Sequence, residues 1–187
     1  MRVNETFLSL QGEGHFTGRP AFFLRLSGCN LQCSFCDTLH QPFTEMTEEE
    51  IVREASSHKP RHIVITGGEP ALQLTQSLVD KLHAAGFFVQ VETNGSLPLP
   101  DGIDWVTCSP KGTPVLGTVD ELKVLYSGED TDLSIVDRIQ AMEYRLQPLD
   151  TGDPTHNHAI LRSCIAYILA HPRWSLSLQT HKLLNIK

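Results

Sequence analysis

The chain has 187 residues, 40% hydrophobic and 20% charged, with 22 acidic and 15 basic side chains for a formal net charge of -7. These figures fit one globular domain over 1–187, large enough to bury roughly 70% of its unfolded surface. No stretch of about 18 apolar residues occurs, so no membrane span is expected, and no basic run marks a nucleic-acid partner. Met1 to Leu10 carries one Arg and no long apolar region, so no secretory leader is expected and the chain is placed in the cytoplasm.

Taken in order, Phe22 to Leu26 is an apolar run broken by Arg25 and predicts a strand. Cys29 to Thr38 follows as a loop. Thr47-Glu48-Glu49-Glu50 is a capping box that opens a helix to about Ser57. His62 to Thr66 contains Ile63, Val64 and Ile65, a β-branched run that predicts a buried strand. Gly67-Gly68-Glu69-Pro70 ends it. Leu74, Leu78 and Leu82 recur every four residues and predict a helix stopped by Gly86.

Phe87 to Glu92 predicts a third strand. Trp105 to Thr107, Glu121 to Leu125 and Tyr144 to Leu146 give weaker strand signals, with a helix expected from about Asp132 to Met142. Leu161, Cys164, Ile165 and Ile168 mark a final helix before Pro172, and Trp174 to Leu178 is a last candidate strand. The segments Thr93–Trp105 and Thr107–Glu121 are too rich in Pro and Gly for helices. Strands alternating with helices imply a largely parallel α/β sheet. The length is short of the roughly 250 residues of a full eight-stranded barrel. The expected fold is an abbreviated, partial (β/α) barrel with fewer helices than strands.

The chemically suggestive segments each follow or close a predicted strand: the cysteine loop, Gly67-Gly68-Glu69-Pro70, Glu92-Thr93-Asn94, Ser109-Pro110-Lys111 and Gln147. In a parallel barrel such positions gather at the C-terminal mouth, where active sites sit. Cys29, Cys33 and Cys36 are separated by three and two residues, close enough for one loop to wrap a metal group. Three thiolates can hold an iron–sulfur cluster and leave one iron open to an outside ligand. The alternative is a zinc knuckle completed by His40. Cys108 and Cys164 read as small core residues. His156 and His158 do not share a helical face.

The Cys-x3-Cys-x2-Cys pattern, with Phe35 before the third cysteine, resembles the signature of the radical S-adenosylmethionine (SAM) superfamily. The resemblance implies a 4Fe–4S cluster on Cys29, Cys33 and Cys36. Its open iron would chelate the methionine end of S-adenosylmethionine, whose reductive cleavage yields a radical that abstracts hydrogen from substrate. Gly67-Gly68-Glu69 resembles the superfamily's cofactor-contacting segment, although glycine-glycine before Pro is also an ordinary turn.

Further segments resemble one branch, the 7-carboxy-7-deazaguanine synthases of queuosine and deazapurine biosynthesis. They are Leu10-Gln11-Gly12-Glu13-Gly14, Arg25, Asp37-Thr38, Glu92-Thr93-Asn94-Gly95, Ser109-Pro110-Lys111 and Gln179-Thr180-His181-Lys182. This resemblance implies a lyase that contracts 6-carboxy-5,6,7,8-tetrahydropterin with loss of ammonia, as a homodimer using Mg²⁺ and a reducing donor such as a flavodoxin. It assigns Phe35, Cys36, Asp37, Gly68, Glu69, Ser109, Pro110, Lys111 and Gln147 to the cofactor. Leu10, Gln11, Gly12, Glu13, Arg25, Thr66, Glu92, His181 and Lys187 fall to the substrate, and Thr38 to Mg²⁺.

Plainer roles stand beside several of these. Arg25 suits a substrate carboxylate or a strand-end salt bridge. Glu92 suits the pterin's amino edge or the capping of the next loop. Leu10 to Gly14 suits a surface turn, and Gln147 a strand-end hydrogen bond. Asp37 is a ligand or a neighbour of one. Two other functions share part of the pattern: a glycyl-radical activase working on a protein partner, and a zinc-binding interaction module.

Overall fold

The computed structural model describes residues 1–33, 36 and 41–187. One sheet runs through it. Its strands are β1 (Arg2–Leu10), β2 (Pro20–Leu26), β3 (Thr44–Glu45), β4 (His62–Gly67), β5 (Phe88–Thr93), β6 (Trp105–Cys108), β7 (Thr118–Tyr126), β8 (Gln140–Pro148) and β9 (Ser175–Leu176). Among the described residues four helices accompany them: α1 (Glu48–Ser56), α2 (Gln76–Ala84), α3 (Pro154–Ala170) and α4 (Thr180–Leu184). The order is β3-β1-β2-β4-β5-β6-β7-β8-β9. β1 is antiparallel to β2 and β3, and from β2 to β9 every neighbouring pair is parallel. The abbreviated, strand-rich and largely parallel fold is as expected.

Side chains alternate across a strand with a period of two, and here the two faces differ in chemistry. Phe22, Leu24, Ile63, Ile65, Val89 and Val91 point outward into a core closed by Ile51 and Ala55 of α1 and Leu78 and Leu82 of α2. Leu122, Val124, Tyr144 and Leu146 do the same beneath Ile160 and Cys164 of α3. The opposite face carries His62, Gln90, Thr107, Glu121, Lys123 and Gln147, all buried. Polar side chains therefore line the inside of an open barrel, and polar groups in such a place must find partners or ligands.

The β1–β2 connection fills the lower end of that interior. Phe16 meets His62, Phe88 and Trp105 edge to face, and His15 stacks on Trp105 with ring centroids 4.5 Å apart. The His15 amide donates to Glu121 Oε2 at 2.7 Å, tying this loop to β7. With the bottom plugged by aromatics, the open space lies at the C-terminal ends of the strands.

Local signals set several boundaries. Thr47 caps α1 with the full reciprocal box to Glu50. Thr75 caps α2, and Gly86 at φ +79° ends it as the left-handed residue. Leu74 lies ahead of that cap rather than inside the helix. It is buried in the same cluster as Val79, the pair of positions that a hydrophobic staple joins across a helix N-terminus.

The expected helix over Asp132–Met142 is not formed. A single 3₁₀ turn covers Ser134–Asp137, and Gln140 already begins β8, which pairs with β7 from Gln140 to Pro148. Ile139 is fully buried, and Leu133, Ile135 and Val136 pack against its cluster, so the helical spacing of apolar residues reflects packing of a tight turn. α3 is present, but its buried stripe is Ile160 and Cys164, whereas Ile165 is exposed. It is also not the last helix, since α4 follows.

Candidate active site

Two cavities open side by side at the C-terminal ends of the strands. The first, of about 240 Å³, is lined by Cys29, Cys33 and Cys36, with Gly68, Asn94, Ser109, Lys111 and Gln147 among the residues around it. The second, of about 190 Å³, is lined by Leu10, Gln11, Gly12, Arg25, His181 and Lys187, together with aromatic and apolar groups from β1 and β2. Glu13, Thr66, Gly67 and Glu92 border both. They form the wall between them.

The cysteine loop is anchored at its start. The Gly68 amide donates to Leu26 O at 3.0 Å and the Glu69 amide to Gly28 O at 2.9 Å. A Cβ on Gly68 would lie 1.9 Å from Gly28 O, and one on Gly67, at φ +120°, 2.1 Å from Leu26 O. The glycine pair thus lets β4 press against the backbone that leads into the cysteines, a role beyond the approach to a ligand that the sequence suggested. The Leu31 amide points at Cys29 Sγ, 3.4 Å away, a donor suited to a thiolate. Asn30 binds Ser96 at 2.8 Å and accepts from Asn94 at 3.1 Å, fastening the loop to the end of β5.

Among the described residues, no three Cys, His, Asp or Glu side chains converge on a single ion. The three thiols instead share one cavity wall, which fits thiolates that each hold a different iron of a cluster. Phe35, Asp37, Thr38 and His40 lie outside the described residues.

Glu69 is fully buried. Its carboxylate accepts from Ala71 N at 3.0 Å, Thr93 Oγ1 at 2.7 Å and Asn94 N at 2.7 Å. It locks the end of β4 to the end of β5, and the backbone of Gly67 and Gly68 is what borders the cavity. Ser109, Lys111 and Gln147 reach the first cavity, while Pro110 lines a neighbouring groove that also touches Cys33. Lys111 Nζ donates to Ser109 O at 3.1 Å. Burial, with Lys123 nearby, pulls its pKa down to about 8. Gln147 accepts from Ser177 Oγ at 2.9 Å.

The wall is strongly charged. Lys123 Nζ lies 2.6 Å from Glu13 Oε2 and 2.9 Å from Glu92 Oε2. Gln11 Nε2 and Gln90 Nε2 donate to Glu92 Oε1 at 3.2 and 3.1 Å, and Gln179 Nε2 to Glu13 Oε1 at 2.9 Å. Burial alone would raise the pKa of Glu13; the Lys123 charge and hydrogen bonds outweigh it and hold the carboxyl at about 2. Burial would lower Lys123, and the two carboxylates hold it above the usual lysine range. Glu121, one inner-face position before Lys123, is raised by burial and by Glu92, and its Oε1 has no partner among the described residues.

The far end of the second cavity has the opposite sign. Arg25 Nε lies 3.0 Å and Lys187 Nζ 2.7 Å from the Glu5 carboxylate, so two cations share one acid. The last residues are strapped across the opening. Thr180 N and Oγ1 both donate to Gly12 O at 2.9 Å, and Lys182 pairs with Asp150 at 2.7 Å.

The structure therefore gathers Leu10, Gln11, Gly12, Glu13, Arg25, Thr66, Glu92, His181 and Lys187 around one cavity. Sequence reasoning missed Lys123, Gln90 and Glu121. The signal was present: Glu121, Lys123 and Leu125 alternate with Leu122 and Val124, and a Lys inside an apolar strand requires a partner as much as Arg25 does. Cys108 and Cys164 are core residues, their thiols pushed up by burial to about 12 and about 11.

Comparison with known proteins agrees with this geometry. The family model described as the Radical SAM superfamily matches residues 24–113. A 7-carboxy-7-deazaguanine synthase of Bacteroides thetaiotaomicron is 50% identical over 188 residues, spanning 100% of this chain and 98% of that protein. Another, from Bradyrhizobium diazoefficiens, is 38% identical over 209 residues, spanning 99% and 98%. Among solved structures, the crystal structure of QueE from Escherichia coli matches with a TM-score of 0.79 at 31% identity, covering 95% of this chain and 93% of that one.

Proposed function

The chain belongs to the 7-carboxy-7-deazaguanine synthase family of radical SAM enzymes, and we propose that its two cavities divide that reaction between cofactor and substrate. The activity is a lyase reaction: ring contraction of 6-carboxy-5,6,7,8-tetrahydropterin to 7-carboxy-7-deazaguanine with loss of ammonia. The observation that carries the reading is the shared wall of Glu13, Thr66, Gly67 and Glu92 between the cysteine cavity and the Arg25 cavity.

In this reading Cys29, Cys33 and Cys36 hold a 4Fe–4S cluster, and Gly68, Ser109, Lys111 and Gln147 line the place of S-adenosylmethionine. When bound, cluster and cofactor together supply the radical that takes a hydrogen from substrate. The protein supplies position and shelter from water. The aromatic plug of Phe16, Phe88 and Trp105 closes the lower end of the site. The α4 strap covers the upper end through Thr180 and Lys182.

The charge gradient of the second cavity supports a carboxylated pterin. The positive end, Arg25 and Lys187 around Glu5, suits the substrate carboxylate. The negative end, Glu13 and Glu92, presents acceptors to the ring's N–H donors. Thr66 and Gly67 lie between the two cavities, where substrate and cofactor meet. The main-chain groups of Leu10, Gln11 and Gly12 frame the ring edge, with His181 above Gly12.

Mg²⁺ is assigned to Thr38, a hard oxygen donor of the kind Mg²⁺ accepts in a shell made largely of water and substrate. Asp37 and Phe35 are assigned beside it and the cofactor. A reducing protein such as a flavodoxin fits the exposure of Cys36 near the mouth. The exposed Ile165 and Leu169 of α3 and Leu183 and Leu184 of α4 support a homodimer. No helix among the described residues is long and apolar enough to cross a membrane, and the need for reduced thiols supports a cytoplasmic setting.

The test is anaerobic turnover of the reconstituted protein with reductant, S-adenosylmethionine and 6-carboxytetrahydropterin, with and without Mg²⁺. The expected result is 5′-deoxyadenosine and deazaguanine product, both rising with Mg²⁺. Failure to convert the pterin, or zinc in place of iron and sulfide after anaerobic purification, overturns the assignment.

A further inference from the structure

We propose that Lys123 is the positioning residue of the substrate cavity: it bridges Glu13 and Glu92, keeps both as charged acceptors, and so fixes the edge on which the substrate's N–H donors land. The identity of those donors rests on the pterin reading above. The way Lys123 holds the two carboxylates does not.

Three segments distant in sequence meet at this ammonium. Lys123 comes from the middle of β7, Glu92 from the end of β5 and Glu13 from the β1–β2 loop. The Lys123 side chain is 5% exposed, and its bonds to Glu13 and Glu92 are 2.6 and 2.9 Å. The other side-chain partners of both acids are donors too: Gln179 for Glu13, Gln11 and Gln90 for Glu92. Every one of these contacts requires a lone pair on the carboxylate. The ionised carboxylates satisfy all of them at once, whereas a proton on either acid would add a donor where the Lys123 ammonium and the Gln amides already donate.

Two half-buried carboxylates that face one space repel each other; the cation between them offsets that repulsion, and with it gone a shared proton relieves it. A protonated carboxyl offers a donor where the ring edge already has donors. Removing Lys123 therefore inverts one hydrogen bond at the substrate edge as well as loosening two side chains.

Other charges surround the triad. Glu121 precedes Lys123 on the inner face of β7, and Arg145 of β8 is the register partner of Lys123. Lys111 follows β6, and Cys108 ends it. His181 of α4 acts on Glu13. Arg25 of β2 faces the same cavity as both acids, and the Lys182–Asp150 pair borders the other. Lys123 is the cation bonded to both acids at once.

Lys123→Met and Lys123→Arg separate positioning from support of the fold. With Lys123→Met, kcat/KM for the pterin is expected to fall roughly 10–100-fold at neutral pH. The acid limb of its pH profile should rise by about one unit or more. Lys123→Arg keeps the charge and should return the limb to its wild-type position, with part of the kcat/KM recovered. In Glu92→Gln/Lys123→Met one carboxylate remains and no proton needs sharing, so the limb should also return.

A second arm needs no substrate. Infrared titration of glutamate-labelled protein should show no protonated Glu13 or Glu92 in the wild type at neutral pH and one such group in Lys123→Met. Difference spectra against Glu13→Gln and Glu92→Gln distinguish these bands from Glu121. A wild-type acid limb in Lys123→Met, or no new carboxyl signal, overturns the proposal. Should Lys123→Met fail to fold, the wild-type titration decides, since a protonated Glu13 or Glu92 at neutral pH contradicts it. If the wild-type enzyme does not convert the pterin, the substrate reading falls while the infrared arm still tests Lys123.

Discussion

Glu13 and His62 give the fold two separate responses to acid. Glu13 titrates near 2 when folded, below its ordinary 4.5. A depressed carboxylate stabilises the fold above its unfolded pKa, and that stability is lost as pH falls from about 4.5 toward 2. His62 is lowered from 6.5 to about 4 by burial and by Arg19. The unfolded chain binds the His62 proton first, so stability falls earlier, as pH drops from 6.5 to about 4.

Chemical denaturation across pH should therefore show two successive losses, the upper one on the order of 3 kcal/mol. His62→Gln keeps a partner for Gln90 and should flatten the upper window while leaving the lower. An unchanged slope between 6.5 and 4 in that variant would reject the assignment to His62. Residues of this kind are partly legible in sequence. Arg25 stands out because the strand around it is otherwise apolar. Lys123 sits in an equally apolar strand, but its meaning depends on Glu13 and Glu92, 110 and 31 residues away, and no local pattern announces such a triad.

Among the elements, those with local chemistry were readable. The Thr47–Glu50 box, the β-branched run of β4 and Gly86 each act through neighbours in the chain. β1 was missed because only Val3 of its nine residues is buried, so it lacks the apolar alternation that marks a half-buried strand. The Asp132–Met142 segment misled for the opposite reason: its apolar residues are buried, but pairing with β7 extends β8 through Gln140 and leaves room for one tight turn.

The β4–cysteine-loop junction carries a prediction at the same scale. In Gly68→Ala the new Cβ would meet the Gly28 carbonyl at 1.9 Å, where only backbone can move. We expect a loss of about 1–3 kcal/mol in stability and reduced iron after anaerobic reconstitution, because the displaced segment leads directly into Cys29. Gly117→Ala, whose Cβ would have nothing within 4 Å, serves as the control and should stay within about 0.5 kcal/mol. Full iron loading of Gly68→Ala would show that this junction does not set the cysteine loop.

For the molecule as a whole, the arrangement follows from what the sheet does with its two faces. The outer face gathers apolar residues under α1, α2 and α3. The inner face, plugged below by aromatics, carries polar groups upward to two cavities with a common wall. The gathering of motifs at strand ends was foreseeable from a parallel α/β pattern. The division into two cavities was not, because Glu13, the Thr66–Gly67 pair and Glu92 come from three separate segments whose meeting depends on strand order.

The proposed division makes one claim about chemistry: with substrate in the Arg25 cavity and cofactor in the cysteine cavity, the hydrogen taken by the radical would come from the substrate ring beside Thr66 and Gly67. Anaerobic turnover with ring-deuterated 6-carboxytetrahydropterin tests it most directly, read by mass spectrometry of the 5′-deoxyadenosine formed. Deuterium in that 5′-deoxyadenosine, together with the contracted product, is the expected result. Unlabelled 5′-deoxyadenosine, formed at the same rate whether or not the pterin is present, would contradict it.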